Sequence, residues 1–131
     1  MASEFTVIVQ NVPGSLARLC GVLGDAGVNI EAIQGMSREG RESIVQFVPR
    51  DPDNAARALD AAAVAFSKRE VLILRLLDEP GTLSEVALIM SKAGINIDSV
   101  YVTTRGHVVL GVDDLAGAIQ VAGGMAVLTF E

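Results

Sequence analysis

The feature that most constrains this chain is that it repeats itself. Asn11-Val12-Pro13-Gly14-Ser15-Leu16 returns as Asp78-Glu79-Pro80-Gly81-Thr82-Leu83, and Ala26-Gly27-Val28-Asn29-Ile30 returns as Ala93-Gly94-Ile95-Asn96-Ile97. Both blocks recur at a spacing of 67 residues, so the loop, the helix and the strand after it keep their register. Repetition at a fixed spacing means that one supersecondary unit is used twice. A length of 131 residues suits one ordinary domain or two very small ones. The repeat decides for two, a first module over 1–70 and a second over 71–131. No Pro-, Gly- or Ser-rich linker falls near Arg69 to Leu72, so the modules are expected to follow each other closely.

Within the first repeat, Phe5 to Gln10 reads as a β-branched strand stopped by Asn11 and Pro13. Leu16, Leu19, Cys20, Leu23 and Ala26 then follow the spacing of a helix with one buried face, and Gly27 suits its left-handed end. Val28 to Ser37 and Ser43 to Val48 predict a hairpin around the polar turn Arg38 to Arg41. Asp51 and Asp53 open the Ala-rich helix Asn54 to Ala63, and Val64 to Glu70 returns as a strand. The second repeat predicts the same order. Its strands are Val71 to Leu77, Ile95 to Thr104, His107 to Val112 and Met125 to Phe130; its helices are Gly81 to Lys92 and one capped by Asp113 and Asp114 that ends at Ala122. Each unit is thus β-α-β-β-α-β. The fold class is α+β: two split βαβ modules, each a four-stranded antiparallel sheet with two helices on one face.

Charge and hydropathy exclude several functions. Ten Lys and Arg stand against 16 Asp and Glu, a net charge of −6, so the basic footprint of a nucleic-acid partner is missing. Mean hydropathy is +0.45, yet Val71 to Leu77 and Ala61 to Phe66, the most apolar runs, are far shorter than the roughly 20 residues of a membrane span. Met1-Ala2-Ser3-Glu4 lacks the basic n-region of a secretion signal, and the single Cys20 makes no internal disulfide, so the cytoplasm is expected. The surplus hydrophobicity points to self-association.

Asn-x-Pro-Gly-x-Leu after a first strand, a helix ending in Gly, and a hydrophobic-Asn-Ile strand opening, found in both halves, resemble the ACT domain. The resemblance implies ferredoxin-like regulatory modules of the kind attached to enzymes such as phosphoglycerate dehydrogenase, aspartokinase and prephenate dehydratase, where they bind amino acids at domain interfaces. It implies a tandem ACT protein without enzyme activity, cofactor or metal. It also implies an effector site at Asn11, Gly14, Asn29 and Ile30, with ligand contacts shared between the loop of one module and a strand of its partner. Some members carry a polar side chain two residues before the Asn; here those positions are Val9 and Leu76.

The chemistry of such a site can be argued from the residues. An amino acid carries a carboxylate beside an ammonium. Backbone N–H groups at Gly14, Ser15 and Leu16 open the first helix at its positive end and suit the carboxylate. The Asn11 and Asn29 amides can donate to the carboxylate or accept from the ammonium. The expected ligand-binding set is therefore Asn11, Val12, Pro13, Gly14, Ser15, Leu16, Asn29 and Ile30. The weaker equivalents are Asp78, Gly81, Thr82, Leu83, Asn96 and Ile97, because Asp78 and Glu79 would repel a ligand carboxylate. Asn11 and Asp78 also stand where Asn and Asp cap helices and close turns, so both roles are open there.

Other candidates read as structure. Cys20 lies on the helix stripe, His107 beside a hairpin turn is expected to be solvated, and neither has metal-ligand neighbours in sequence. An acylphosphatase-like enzyme needs an Arg in the first strand-to-helix loop, an RNA-recognition module needs aromatics on its central strands, and a metallochaperone needs Cys-x-x-Cys; none of these patterns occurs. Two functions remain: a sensor that binds an amino acid and modulates a metabolic enzyme, and a ligand-free subunit that docks on one. A homodimer is expected, with Leu88 or Ile89, on the outer side of the second repeat's first helix, in a helix-mediated contact.

Overall fold

Phe5, Val7 and Val9 alternate with Glu4, Thr6 and Ile8 along β1 (Ala2–Gln10), and this alternation sends the first set towards the helices. In the computed structural model, which describes residues 1–128 and Phe130, the chain divides into one unit of Ser3–Arg69 and a second of Glu70–Glu131 with Met1–Ala2. The first unit continues through α1 (Ser15–Asp25), β2 (Ile30–Arg38), β3 (Glu42–Pro49) and α2 (Pro52–Ala61) to β4 (Ser67–Leu74). Its sheet has the order β2-β3-β1-β4, with β3 antiparallel to both β1 and β2. Phe5 stacks on Phe47 at 5.3 Å between ring centroids, and Leu19, Leu23, Ala55 and Leu59 close over that pair from the helices.

The second unit follows β4 with α3 (Thr82–Lys92), β5 (Ile97–Val102), β6 (Val108–Val112), α4 (Leu115–Ala122), a 3-10 turn over Gly123–Met125, and β7 (Ala126–Val127). Its strands run in the order β4-β6-β5, with β7 also antiparallel to β4. The two cores correspond residue by residue. Phe5, Val7, Leu19, Leu23 and Val28 map at the spacing of 67 onto Leu72, Leu74, Val86, Met90 and Ile95. Beyond the hairpin the spacing falls to 63, which pairs Phe47 with Leu110, Ala55 with Ala118 and Leu59 with Ala122. The β5–β6 hairpin is therefore four residues shorter than β2–β3. Asp51 and Asp114 obey the second spacing too, and each caps its helix, accepting from the Asn54 N–H at 3.2 Å and the Gly117 N–H at 3.0 Å.

Several expectations need correction. Val64 to Glu70 and Val71 to Leu77 are not two strands: β4 runs unbroken from Ser67 to Leu74, because no turn residue interrupts the run, and the unit boundary falls inside it. Of the expected helix stripes, Leu16 and Ala26 on α1 and Leu83, Ala87 and Ala93 on or beside α3 are exposed. Each of these helices buries two residues one turn apart, Leu19 with Leu23 and Val86 with Met90, because a small sheet covers only a narrow strip. The last strand is confined to Ala126–Val127 among the described residues; the expected run also includes Thr129, which lies outside them. Leu88 and Ile89 are exposed on α3.

On the sheet face away from the helices, a polar ladder crosses all four strands of the first unit. Gln34 donates to Gln46 at 2.6 Å, Gln46 donates to Thr6 and Glu4 at 3.3 and 3.4 Å, and Arg69 Nε meets Glu4 Oε1 at 3.1 Å. Glu4 is buried, and these donors meet its carboxylate there in place of water. Arg69→Met should cost roughly 3 kcal/mol of stability by removing a cation from a buried carboxylate. Urea denaturation at neutral pH measures it.

Candidate functional site

The sequence Pro-Gly-[Ser/Thr] sets the local geometry of the first strand-to-helix loop in both units. Gly14 and Gly81 hold φ of +92° and +91°, a left-handed conformation open to glycine, and no atom lies within 4 Å of where a side chain would begin. The loops agree bond for bond. Val12 N–H donates to Gln10 O and Glu79 N–H to Leu77 O, both at 2.9 Å; Ser15 N–H donates to Val12 O and Thr82 N–H to Glu79 O, both at 3.3 Å. Neither α1 nor α3 has a side-chain cap, in contrast to α2 and α4. Among the described residues, Gly14 and Leu16 N–H find no protein acceptor, so the positive end of α1 stays open to an anionic group.

Two clefts flank this loop in the first unit. One, of about 450 Å³, is lined by Val9, Gln10, Asn11, Val12, Ser15 and Leu16 on one side and by Ile33 to Ser37, Ser43 and Val45 on the other. The second, of about 470 Å³, lies between β1 and α1 and is lined by Val12, Pro13, Gly14 and Ser15 with Arg18, Leu19, Val64 and Ala65 among others. Six of the expected residues, Asn11 to Leu16, thus border one cleft or both. Asn29 and Ile30 border neither. Gln10 pairs with Glu42 and Ile30 with Pro49, seven residues further along β3, a separation of roughly 23 Å at the usual rise of a strand.

Asn29 and Asn96 serve their own hairpins. Asn29 Nδ2 donates to Glu31 Oε1 at 3.2 Å, and its carbonyl accepts from Arg50 N–H at 2.9 Å. Asn96 N–H donates to Asp113 Oδ1 at 2.9 Å and its carbonyl accepts from Asp113 N–H at 3.2 Å. Ile30 and Ile97 are half-buried against their respective cores.

Asn11 is tied to the tip of the β2–β3 hairpin. Its N–H donates to Arg41 O at 2.9 Å, its Nδ2 to Gly40 O at 3.2 Å, and its Oδ1 accepts from Ser43 Oγ at 3.3 Å. One amide hydrogen and one lone pair remain for a ligand. The hairpin is thereby latched to the helix-opening loop, and it forms the far wall of the 450 Å³ cleft. Asp78 has no such latch: a carboxylate cannot donate to a carbonyl, and the ladder of the shorter β5–β6 hairpin ends three pairs earlier, at Val102 and Val108.

Sequence reasoning missed the hairpin wall, Ile33 to Ser37, Ser43 and Val45. Gly35 was the available signal, because a glycine inside a strand marks a place where something approaches the backbone closely. A Cβ there would meet only Ile44 O at 3.7 Å and Val45 Cγ2 at 3.8 Å, ordinary contacts. His107, expected to be solvated, is half-buried, and its Nδ1 is enclosed without a hydrogen-bond partner. Cys20 is a free, half-buried thiol. Among the described residues no three His, Cys, Asp or Glu side chains gather as metal ligands, and no helix is long and apolar enough to cross a membrane.

The ACT domain family model matches residues 3–63 and again residues 71–122. A crystal structure of a protein from Bacteroides thetaiotaomicron superposes with a TM-score of 0.83 at 24% identity, covering 92% of this chain and 85% of that one. The ligand-free regulatory subunit of aspartate kinase from Thermus thermophilus superposes with a TM-score of 0.68 at 16% identity, covering 92% and 89%. The regulatory subunit of aspartate kinase from Thermus flavus gives 0.64 at 15% identity, with the same coverage. No curated protein matches the chain in sequence.

Gly14→Ala and Gly81→Ala should each destabilise the chain by about 1–2 kcal/mol, the cost of a left-handed L-residue, with no added penalty from crowding. Denaturant midpoints of the two variants should shift alike.

Proposed function

We propose that this chain, which belongs to the ACT domain family, is a non-catalytic regulatory protein that binds an amino acid in its first unit and modulates a metabolic enzyme. One observation carries the reading: the uncapped start of α1, at Gly14 to Leu16, opens beside a cleft of about 450 Å³ whose far wall is the hairpin held by Asn11. That volume falls in the range of small-molecule sites. The free N–H groups suit a carboxylate, and the remaining capacity of Asn11 and the Ser15 hydroxyl suit an ammonium.

The second unit shares the loop but carries Asp78 and Glu79 beside it and lacks the latched hairpin, so we assign the ligand to the first. Fold likeness to regulatory subunits of aspartate kinase makes an enzyme of amino acid metabolism the partner class to test first. A cytoplasmic homodimer is part of this reading. The alternative, a ligand-free docking subunit, draws on exposed Leu88 and Ile89 on α3, which offer an apolar surface to a partner.

Thermal-shift measurements against the twenty amino acids separate the two. A ligand at one hundred times its Kd should stabilise the fold by about 2.7 kcal/mol. A flat response across all twenty favours the docking subunit. For the responding amino acid, Asn11→Ala should weaken binding by roughly 1–3 kcal/mol, through the lost contact and the released hairpin, while Asp78→Ala should change it little. Calorimetric titration of both variants decides; equal losses would mean that the units contribute symmetrically.

A further inference from the structure

The lining of the hairpin cleft is unusual for an otherwise well-buried small unit. Three of its large apolar side chains, Val12, Leu16 and Ile33, are between 42% and 54% exposed, and they border this one opening with Val9 and Val45. Water-facing apolar surface gathered at a concave site marks a place where an apolar group docks. The polar lining groups are all neutral: among the described residues no Asp, Glu, Lys, Arg or His borders the cleft. This holds in a chain with 26 Lys, Arg, Asp and Glu, so the absence is local.

A charged ligand side chain entering here would give up its water and meet no opposite charge, a penalty that neutral amides and hydroxyls offset only in part. An aliphatic side chain would instead bury its own surface and cover Val12, Leu16 and Ile33 at once. At Gly35, on the same sheet face as Ile33 and Val45, the missing side chain keeps the floor of the cleft open.

We infer that the first unit selects an amino acid with an uncharged, aliphatic side chain, held in the cleft between α1 and the β2–β3 hairpin. This rests on the amino-acid reading above and narrows it to a ligand class. Specificity is set by the wall of Val12, Leu16 and Ile33, whereas the helix opening recognises the part common to all amino acids.

The test is isothermal titration of the full chain with leucine, isoleucine, valine and methionine against lysine, aspartate and serine. The best aliphatic ligand should bind at least about 10-fold more tightly than any of the charged or hydroxylated ones, the discrimination that one or two methylenes in an apolar pocket supply. Gly35→Val, which fills the cleft without a close contact, should weaken that ligand at least about 10-fold at an unchanged melting temperature. Ile33→Glu, on a partly exposed side chain of the same wall, serves the same purpose if Gly35→Val fails to fold, and should also narrow the gap between leucine and lysine. Preferential binding of lysine or aspartate would overturn the inference and leave the amino-acid reading standing. Aliphatic binding untouched by either variant would overturn the placement. No binding by any amino acid would overturn both readings together.

Discussion

Two glycines held near φ +90° decide where this chain exposes its backbone. In each unit the first strand delivers the chain to a Pro-Gly step, and the left-handed turn there starts the helix with no side chain folded over its first N–H groups. A β-branched or bulky residue at Gly14 or Gly81 would have to leave that conformation and would carry the loop and the helix start with it. The narrow buried strip of each helix, Leu19 with Leu23 and Val86 with Met90, then fixes the helix on the sheet at a constant distance along the chain from the glycine. The open helix end and the packed core are thus two results of one backbone choice.

Where the units differ, they differ in what surrounds that turn. In the first, an amide at Asn11 both donates and accepts, and it reaches the Gly40 carbonyl and the Ser43 hydroxyl on a long hairpin. In the second, the carboxylate of Asp78 has lost the donor and the hairpin has lost four residues. The first change removes the side-chain donor of the latch, and the second removes the hairpin tip it holds. The cores tolerate a comparable divergence, Phe47 to Leu110 and Leu59 to Ala122, because apolar contacts require volume and no particular partner atom.

Features fixed by local chemistry were legible in the sequence. The repeat, the element order, the Asp51 cap and the left-handed Gly27 and Gly94 each depend on a few adjacent residues. The hairpin lengths were not legible: the switch in spacing from 67 to 63 lies between two blocks that match well on either side, and only the register reveals it. The site was legible on one wall. Asn11 to Leu16 carry a motif, but Ile33 and Gly35 face them only after β2 has paired with β3. The distance of Asn29 from that wall was not legible either, because the register of β2 on β3 sets it.

The unbroken strand β4 bears on how such a chain can be taken apart. A duplicated βαββαβ unit brings eight strands, yet seven are present among the described residues, because β4 closes one module's strand sequence and opens the next. Severing the peptide bond between Arg69 and Glu70 would leave each fragment with a truncated border and raw hydrogen-bonding groups along it. Recombinant halves for biochemical work would therefore need overlapping ends, each retaining residues 67–74, rather than a clean cut at the boundary of the repeat.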